Sequence, residues 1–129
     1  MLERISIVAV SGKREQLQMA AMIASVGAVS GYQVFVFLSM NALEYFVKGA
    51  DQHAPSEGRI GDLLEQKNAP GFKTLFQHAV ELGDAKIYPC SMAMDVLSLQ
   101  PVELESYLSQ PLGLTKFLSE ASGGQILSF

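Results

Sequence analysis

Cys90 is the single cysteine of this 129-residue chain, and it ends a stretch from Ala85 that predicts a short strand. Residues Ser91 to Leu97 predict the first turns of a helix. A thiol at this junction would face backbone N–H groups and the positive end of the helix dipole, which favour the thiolate. Because the thiolate is the nucleophilic form, the position predicts a reactive thiol. The alternative is a buried cysteine that packs as a small apolar side chain.

The loops that follow the predicted strands supply the other candidate site residues. In an open parallel sheet, ligands bind beyond the carboxyl ends of the strands, where the strand order reverses. We expect three loops to converge there, beginning at Ser11, Ser39 and Cys90. Cys90 is the candidate catalytic residue, and the candidates for the surrounding pocket are Ser11, Gly12, Met40, Asn41, Ser91, Met92, Met94 and Asp95. We expect Asp95 to complement the helix dipole and to shape the approach to the sulfur.

The loop after the first strand is a weak candidate for an anion site. Ser11-Gly12-Lys13-Arg14 could present backbone N–H groups and a basic side chain. It matches neither the dinucleotide-binding pattern nor the phosphate-loop pattern. A phospho-acceptor domain of similar layout would need acidic residues where Ser11, Gly12 and Cys90 stand. An ordinary strand-to-helix turn is therefore the favoured interpretation.

The residue types give little support for a metal site or a cofactor site. His53 and His78 are the two histidines, and no spacing joins them to Cys90 in a zinc pattern. Thioethers beside a thiolate would suit Cu(I), and Met40, Met92 and Met94 are candidates to lie near the thiol, but methionine more often fills a core. We predict no metal site and no cofactor.

Hydrophobic patterning predicts the fold. The apolar runs Ile5–Val10 and Gln33–Leu38 are typical of parallel strands covered on both faces, and a helix from Arg14 to Ser30, ended by Gly31, joins them. The other predicted elements are helices over 41–47 (with Asn41 as N-cap), 72–82 (ended by Gly83), 91–97 and 113–121, a strand over 103–108 and a closing strand over 125–129. Together they predict one doubly wound α/β domain over residues 1–129, with a mostly parallel five-stranded sheet and helices on both faces.

Two segments depart from that plan. Residues 49–71 form a long polar connection with four glycines and two prolines, in which we expect one or two helical turns near 60–66. Long loops of this kind act as lids, binding segments or flexible insertions. The helix from Arg14 to Ser30 is apolar on nearly every face, and a helix of that kind is buried all round. In so small a domain, the spare face predicts a homo-oligomer.

Composition narrows the class of function and the location. The net charge of -4 argues against nucleic-acid binding, because no basic stripe exists to meet phosphates. The longest nearly apolar stretch, Leu17 to Val29, is too short to span a bilayer. Met1-Leu2-Glu3-Arg4 runs directly into a strand, which argues against a signal peptide. A lone cysteine suits a reducing compartment, so we expect a cytoplasmic protein without membrane contact.

The stretch from Lys86 to Leu97 (Lys-Ile-Tyr-Pro-Cys-Ser-Met-Ala-Met-Asp-Val-Leu) resembles the cysteine segment of the DsrE/DsrF-like family. In that family a strand, a cysteine and a helix with Met, Asp and Val follow in this order. The order of strands and helices resembles the family over most of the chain. The connection over 49–71 and the Leu97-Ser98-Leu99 stretch depart from common members.

The resemblance implies a sulfur-relay role. Cys90 would accept sulfane sulfur as a persulfide and pass it on, with TusA-like or rhodanese-like sulfur carriers as partners, in a cytoplasmic homo- or hetero-oligomer. Met92, Met94 and Asp95 would shape its surroundings. Two alternatives stay open: a non-catalytic α/β binding or regulatory subunit with a structural cysteine, and, less favoured for want of a resolving cysteine, a thiol redox enzyme.

Overall fold

The two apolar runs predicted as strands form the centre of a parallel sheet. In the computed structural model, which describes residues 3–50 and 53–129, β1 (Arg4–Ala9) pairs in parallel with β2 (Gln33–Leu38), and Ile7 lies opposite Val36. Met1 and Leu2 at the start of the chain, and residues 51–52 of the polar connection, lie outside the described residues.

Two shorter strands complete the sheet within the described residues. β3 (Lys86–Pro89) pairs with β2, and β4 (Gln125–Ser128) pairs with β1, both in parallel. The order is β3-β2-β1-β4. The α/β class with a parallel sheet is confirmed. The prediction of five strands is wrong, because the described part of the chain forms a sheet of four.

A fifth strand fails to form beside β3 because of two prolines. The N–H of Ser109 donates to the carbonyl oxygen of Ile87 at 2.7 Å, as in a regular parallel ladder. The next donor should come from residue 111, but Pro111 has no N–H, and Leu112 donates to the oxygen of Pro89 instead. The register therefore slips by one residue. Pro89 also lacks the N–H that the outer edge of β3 would offer.

The strand predicted over 103–108 is replaced by irregular structure. Pro101–Glu103 form a short 3-10 helix, and Leu104 makes one antiparallel bridge to Val47. Farther on, Leu112 makes one parallel bridge to Cys90. We call residues 104–112 the edge segment. It lies where an outer strand would lie, with bridges instead of a ladder.

The helices lie close to their predicted positions. They are α1 (Arg14–Val29), α2 (Arg59–Gln66), α3 (Phe72–Gly83), α4 (Ser91–Leu97) and α5 (Leu114–Ala121). The predicted helix over 41–47 is a 3-10 helix over Met40–Phe46, and its N-cap is Ser39, with extended backbone, rather than Asn41. Gly83 is the last residue of α3 rather than its stop, and Asp84 adopts the left-handed conformation after it.

Helices cover both faces of the sheet, as predicted. Successive side chains of a strand point to opposite faces, so Val34 and Phe37 of β2 lie on opposite faces of the sheet. A Cβ added to Gly27 of α1 would lie 3.4 Å from Val34 Cγ2. On the other side, the rings of Phe37 and Phe117 of α5 have centroids 4.8 Å apart.

Two small residues let α3 pack closely against α1. A Cβ on Gly83 would collide with the Cβ of Ala28 and lie 2.7 Å from its carbonyl carbon. Because only glycine permits this approach, the residue expected to stop α3 instead brings the two helices together. The close packing holds both helices on one face of the sheet.

The outer face of α1 is apolar and exposed, so the expectation that α1 is buried all round does not hold within one chain. The exposed side chains are Met19, Met22, Val26 and Val29, and we call them the α1 stripe.

None of the helices among the described residues combines the length and the hydrophobicity needed to span a membrane.

Part of the polar connection is tied to α1. The carboxylate of Glu15 accepts backbone N–H donors from Glu57 at 2.8 Å, Gly58 at 2.7 Å and Gly61 at 3.2 Å. The hydrogen bond from Glu57, the largest influence, holds the pKa of Glu15 below its ordinary value, and those from the two glycines add to this. The start of α2 is therefore anchored by one carboxylate, and the helical turns expected near 60–66 are confirmed as α2.

Candidate functional site around Cys90

The backbone places Cys90 at the junction that the sequence predicted. Its N–H donates to the carbonyl oxygen of Leu38 at 2.8 Å, which continues the pairing of β3 with β2. Its own carbonyl oxygen accepts from Met94 at 3.0 Å, which begins α4. Cys90 is the N-cap residue of α4, and its side chain makes no capping hydrogen bond. The strand, the cysteine and the helix thus follow in the predicted order.

The exposure of Cys90 differs from the prediction. The residue is only 4% exposed and belongs to the core together with Ala93, Met94 and Leu112. Because a reactive thiol must be reachable, the burial within a single chain favours the alternative of a cysteine that packs as a small apolar side chain. The sequence places Cys90 at a strand end but does not reveal what covers it. The backbone of its neighbours Pro89 and Ser91 is hydrogen-bonded to Leu112, which lies about 20 residues farther along the chain.

The edge segment lies against the backbone on both sides of Cys90. Ser91 donates its N–H to the carbonyl oxygen of Leu112 at 2.9 Å, and Leu112 donates to Pro89 at 3.0 Å. A cavity of about 440 Å³ lies between Pro89 and this segment. Leu104 and Leu108 of the segment form part of its wall. The edge segment therefore forms one wall of this cavity.

Tyr107 in the edge segment carries an unfavourable polar group. Its hydroxyl is buried and has no hydrogen-bond partner among the described residues. Burial, aided by the nearby carboxylates of Glu105 and Glu81, raises the pKa of Tyr107 well above its usual range. We call the observed position of the edge segment, beside Cys90, its closed position. A buried hydroxyl without a partner destabilises this position by roughly 1–3 kcal/mol. Sequence reasoning missed this residue, because burial of its hydroxyl depends on tertiary packing.

The loops after β1 and β2 meet each other as predicted. A Cβ added to Gly12 would lie 3.0 Å from the Cβ of Asn41. The hydroxyl of Tyr45 donates to the carbonyl oxygen of Gly12 at 2.9 Å and fastens the two loops together. Burial, the largest influence, raises the pKa of Tyr45, and it therefore remains a neutral donor. Tyr45 is a second residue that the sequence analysis missed.

The remaining candidates fall into exposed and buried groups. Met40, which has a positive φ of 51°, and Met92 are exposed, as are Asn41 and Asp95. Ser11 and Ser91 are half-buried. Met94 is buried in the core, so its expected role as a pocket-lining residue is not supported. The Ser11 side chain accepts from the N–H of Lys13 at 3.0 Å, which makes this loop an ordinary turn.

The reversal of strand order does not coincide with Cys90. The strand order reverses between β1 and β4, whereas Cys90 follows β3 at the opposite edge. At the reversal, the N–H groups of Val10 and Ser11 both donate to the carbonyl oxygen of Phe129. The predicted convergence of three loops at this point is therefore only partial. Cys90 borders the end of β2 and not the reversal.

Among the described residues, acidic, histidine and cysteine side chains form no metal-binding group around Cys90. Over residues 3–50 and 53–129, no group of three or more such side chains is placed to hold a metal ion. His53 is paired through its Nδ1 with Glu65 at 3.3 Å. The chemistry available at Cys90 is accordingly that of a thiol with backbone amides nearby.

Comparison with known proteins supplies a family and a fold. The model of the DsrE/DsrF/DrsH-like family matches residues 52–129, more than half of the chain, including Cys90 and α4. No curated protein matches the chain.

Two solved structures share the fold over nearly the whole chain. The ychN protein from E. coli is 14% identical, with a TM-score of 0.70 and full coverage of both chains. MTH1491 from Methanobacterium thermoautotrophicum, a protein of unknown function, is 9% identical, with a TM-score of 0.64, and the match covers 98% of this chain and 99% of that one. At such low identity these likenesses show the fold alone.

Proposed function

Because the chain belongs to the DsrE/DsrF/DrsH-like family, we propose that it is a sulfur-relay protein whose Cys90 carries sulfane sulfur as a persulfide. The observation that carries this proposal is the position of Cys90. It is the single cysteine of the chain, it lies within the matched region, and it stands between β3 and α4. The activity is of the sulfurtransferase type and uses no cofactor.

The proposed reaction is thiol–persulfide exchange. The Cys90 thiolate attacks the outer sulfur of a donor persulfide, a new S–S bond forms at Cys90, and the donor leaves as a thiolate. In the second step, an acceptor thiolate attacks the outer sulfur on Cys90, and Cys90 is released as a thiolate. No net oxidation occurs, because one persulfide is consumed for each one formed. A single cysteine is sufficient for this cycle.

Burial requires that Cys90 become exposed before either step. The edge segment is held beside Cys90 by a few backbone hydrogen bonds and borders a cavity. It also contains the buried Tyr107 hydroxyl, which has no partner among the described residues. Segments of this kind open locally at a smaller free energy than the whole fold. We infer that movement of the edge segment admits the donor and the acceptor.

The partners proposed are rhodanese-like donors and TusA-like acceptors in the cytoplasm, where thiols stay reduced. The surface near Cys90 suits protein partners better than small molecules. Met40, Met92 and Val96 are all exposed apolar side chains on the loop after β2 and on α4. Exposed apolar side chains of this kind favour protein contacts.

We also propose that the α1 stripe pairs with the stripe of a second copy of the chain. Met19, Met22, Val26 and Val29 are spaced three, four and three residues apart, which places them along one helix face. None of these side chains carries a charge, so two copies can bury the stripe without desolvating ions. A homodimer or a larger homo-oligomer is therefore expected.

Loading of Cys90 with sulfur tests the function. The folded chain is treated with polysulfide and analysed by intact mass spectrometry under non-reducing conditions. A gain of one sulfur atom that is absent from Cys90→Ser supports the proposal. Failure of the wild-type chain to gain sulfur, while its denatured form gains it readily, would favour a structural role for the cysteine.

The alternative is a non-catalytic binding or regulatory subunit with a structural cysteine. The burial of Cys90 among core residues is the specific observation in its favour. On this interpretation, Cys90→Ala lowers the free energy of unfolding, and Cys90 resists alkylation until the whole chain unfolds.

A further inference from the structure

The outer side of β4 is an open edge of the sheet. β4 pairs with β1, and no other part of the described chain pairs with its far side. Its residues, Gln125 to Ser128, include neither a charged residue nor a proline. Proteins usually protect an open edge with such residues or with a covering segment, because an open edge can pair with another chain. The opposite edge of this sheet has both Pro89 and the edge segment, whereas β4 has no such protection.

The backbone groups of β4 that face outward can be identified. Phe129 donates its N–H to the carbonyl oxygen of Val8 at 2.9 Å and accepts from the N–H of Val10 at 2.8 Å, so both of its groups point towards β1. In a strand, the N–H and carbonyl groups of one residue point to the same side, and the side alternates along the chain. The groups of Ile126 and Ser128 therefore point outward, one residue before and one residue after Leu127.

The α1 stripe lies on the same side of the molecule as this open edge. Gly27 faces the sheet, where an added Cβ would lie 3.4 Å from a β2 side chain, and Ala28 packs against Gly83 of α3. Successive residues of an α-helix are about 100° apart around its axis, so Val26 faces away from α3, as does Met19 two turns earlier. Because α3 leads into β3 at the far edge of the sheet, the flank of α1 away from α3 is the β4 side.

We propose that two copies of the chain pair antiparallel through β4, about a two-fold axis at Leu127. The N–H of Ile126 donates to the carbonyl oxygen of Ser128 of the partner subunit, and the carbonyl oxygen of Ile126 accepts from the N–H of that residue. The axis repeats both hydrogen bonds. The two sheets become one continuous sheet with the two β4 strands at its centre. This arrangement specifies how the copies of the proposed homo-oligomer meet.

The occupant that fits this edge is a second copy, because β4 is complementary to itself. The outward groups are symmetric about Leu127, as a two-fold interface requires. Neither β4 nor the α1 stripe carries a charge, so two identical copies do not repel each other at these surfaces. Leu127 lies opposite its own copy, and Ile126, which is 50% exposed, lies diagonal to its copy on the other face. Apolar pairs of this kind stabilise neighbouring strands.

The pairing has a consequence for Cys90, which rests also on the proposed sulfur function. Cys90 follows β3, the strand farthest from β4. The two cysteines are therefore separated by seven strand spacings, roughly 30 Å, and lie at opposite ends of the strands. They cannot form a disulfide with each other, so each copy carries and passes on its sulfur independently.

Cross-linking of β4 tests the pairing and its register. In a Cys90→Ser background, Leu127→Cys places two thiols across the axis, where opposite Cα atoms are about 4.5 Å apart and a disulfide can form. Gln125→Cys is the matched control on the same strand and face, because its two copies are separated by roughly 13 Å. Mild oxidation should give a covalent dimer with Leu127→Cys and none with Gln125→Cys. Equal cross-linking, or none with Leu127→Cys, would overturn the inference.

A proline at an outward position provides a second test. Ser128→Pro removes an N–H that the pairing needs and that β1 does not use, so the fold should remain, as circular dichroism can verify. We expect the Kd for self-association, measured by sedimentation velocity, to rise at least about tenfold, whereas Ser128→Ala should leave it unchanged. Equal Kd values in these two variants would contradict the pairing. Because this association does not involve Cys90, its failure would leave the sulfur-loading experiment unaffected.

Discussion

The backbone N–H of Ser91 donates to the carbonyl oxygen of Leu112 at 2.9 Å, which joins the first residue of α4 to the edge segment. This hydrogen bond and the one from Leu112 to Pro89 flank Cys90. The backbone around Cys90 is therefore tied to a segment that is distant in sequence. We propose that movement of this segment makes the thiol accessible without loss of the β-sheet.

Leu112→Ala should speed the alkylation of Cys90. Leu112 is 6% exposed and is the bridge partner of Cys90, so its truncation removes buried contacts of the edge segment. Truncation of a buried leucine destabilises by about 2–5 kcal/mol, of which part acts on the closed segment. We expect alkylation by iodoacetamide at least about tenfold faster. Val102→Ala, at an exposed residue, is the control, and equal rates in the two variants would show that the edge segment does not gate the thiol.

Tyr107→Phe should have the opposite effect. The substitution removes the buried hydroxyl that lacks a partner among the described residues and keeps the ring. Because the closed segment becomes more stable by about 1 kcal/mol, the alkylation of Cys90 should slow roughly fivefold. The free energy of unfolding should rise in denaturant titrations. Faster alkylation in this variant would mean that the hydroxyl stabilises the closed segment.

Charge on the α1 stripe should separate the subunits. Val26 is 66% exposed and Met22 is 43% exposed. Val26→Glu would place a charge in the proposed interface, where burying an unpaired ion is strongly unfavourable. Sedimentation velocity should show an oligomer for the wild-type chain and a monomer for Val26→Glu. The matched control, Val102→Glu, should remain oligomeric. A wild-type chain that is monomeric at micromolar concentration would contradict the proposed homo-oligomer.

Acid should loosen the start of α2 through Glu15. Its pKa is lowered in the folded chain, so its stabilising effect is complete above its ordinary value of 4.5 and is lost as the pH falls through the lower folded value. Hydrogen exchange of the Glu57, Gly58 and Gly61 amides, corrected for intrinsic rates, should accelerate over that range. Glu15→Gln should show faster exchange at neutral pH, whereas Glu120→Gln should not. Identical protection in Glu15→Gln and the wild-type chain would contradict the anchoring role.

Local patterns in the sequence predict most of the fold. The apolar runs that contain Ile7 and Val36 are long enough to identify buried parallel strands, and Cys90 falls at the junction that its neighbours predict. The predicted fifth strand failed for a local reason that can be read in retrospect. Pro111 stands where the ladder needs an N–H donor.

Features that depend on distant contacts could not be predicted. Cys90 forms a bridge with Leu112, and the buried hydroxyl of Tyr107 lacks a partner among the described residues. Both features depend on the path of the edge segment, which the local sequence does not reveal.

Transfer of labelled sulfur tests the sulfur-relay function of Cys90 most directly. The chain is loaded with polysulfide labelled with a heavy sulfur isotope, freed of excess reagent, and mixed with a TusA-like carrier that has one free cysteine. We predict that the label leaves Cys90 and appears on the carrier at the same rate, and that Cys90→Ser transfers none. A label that never enters Cys90 in the folded chain, or that stays there in the presence of the carrier, would contradict the proposed relay.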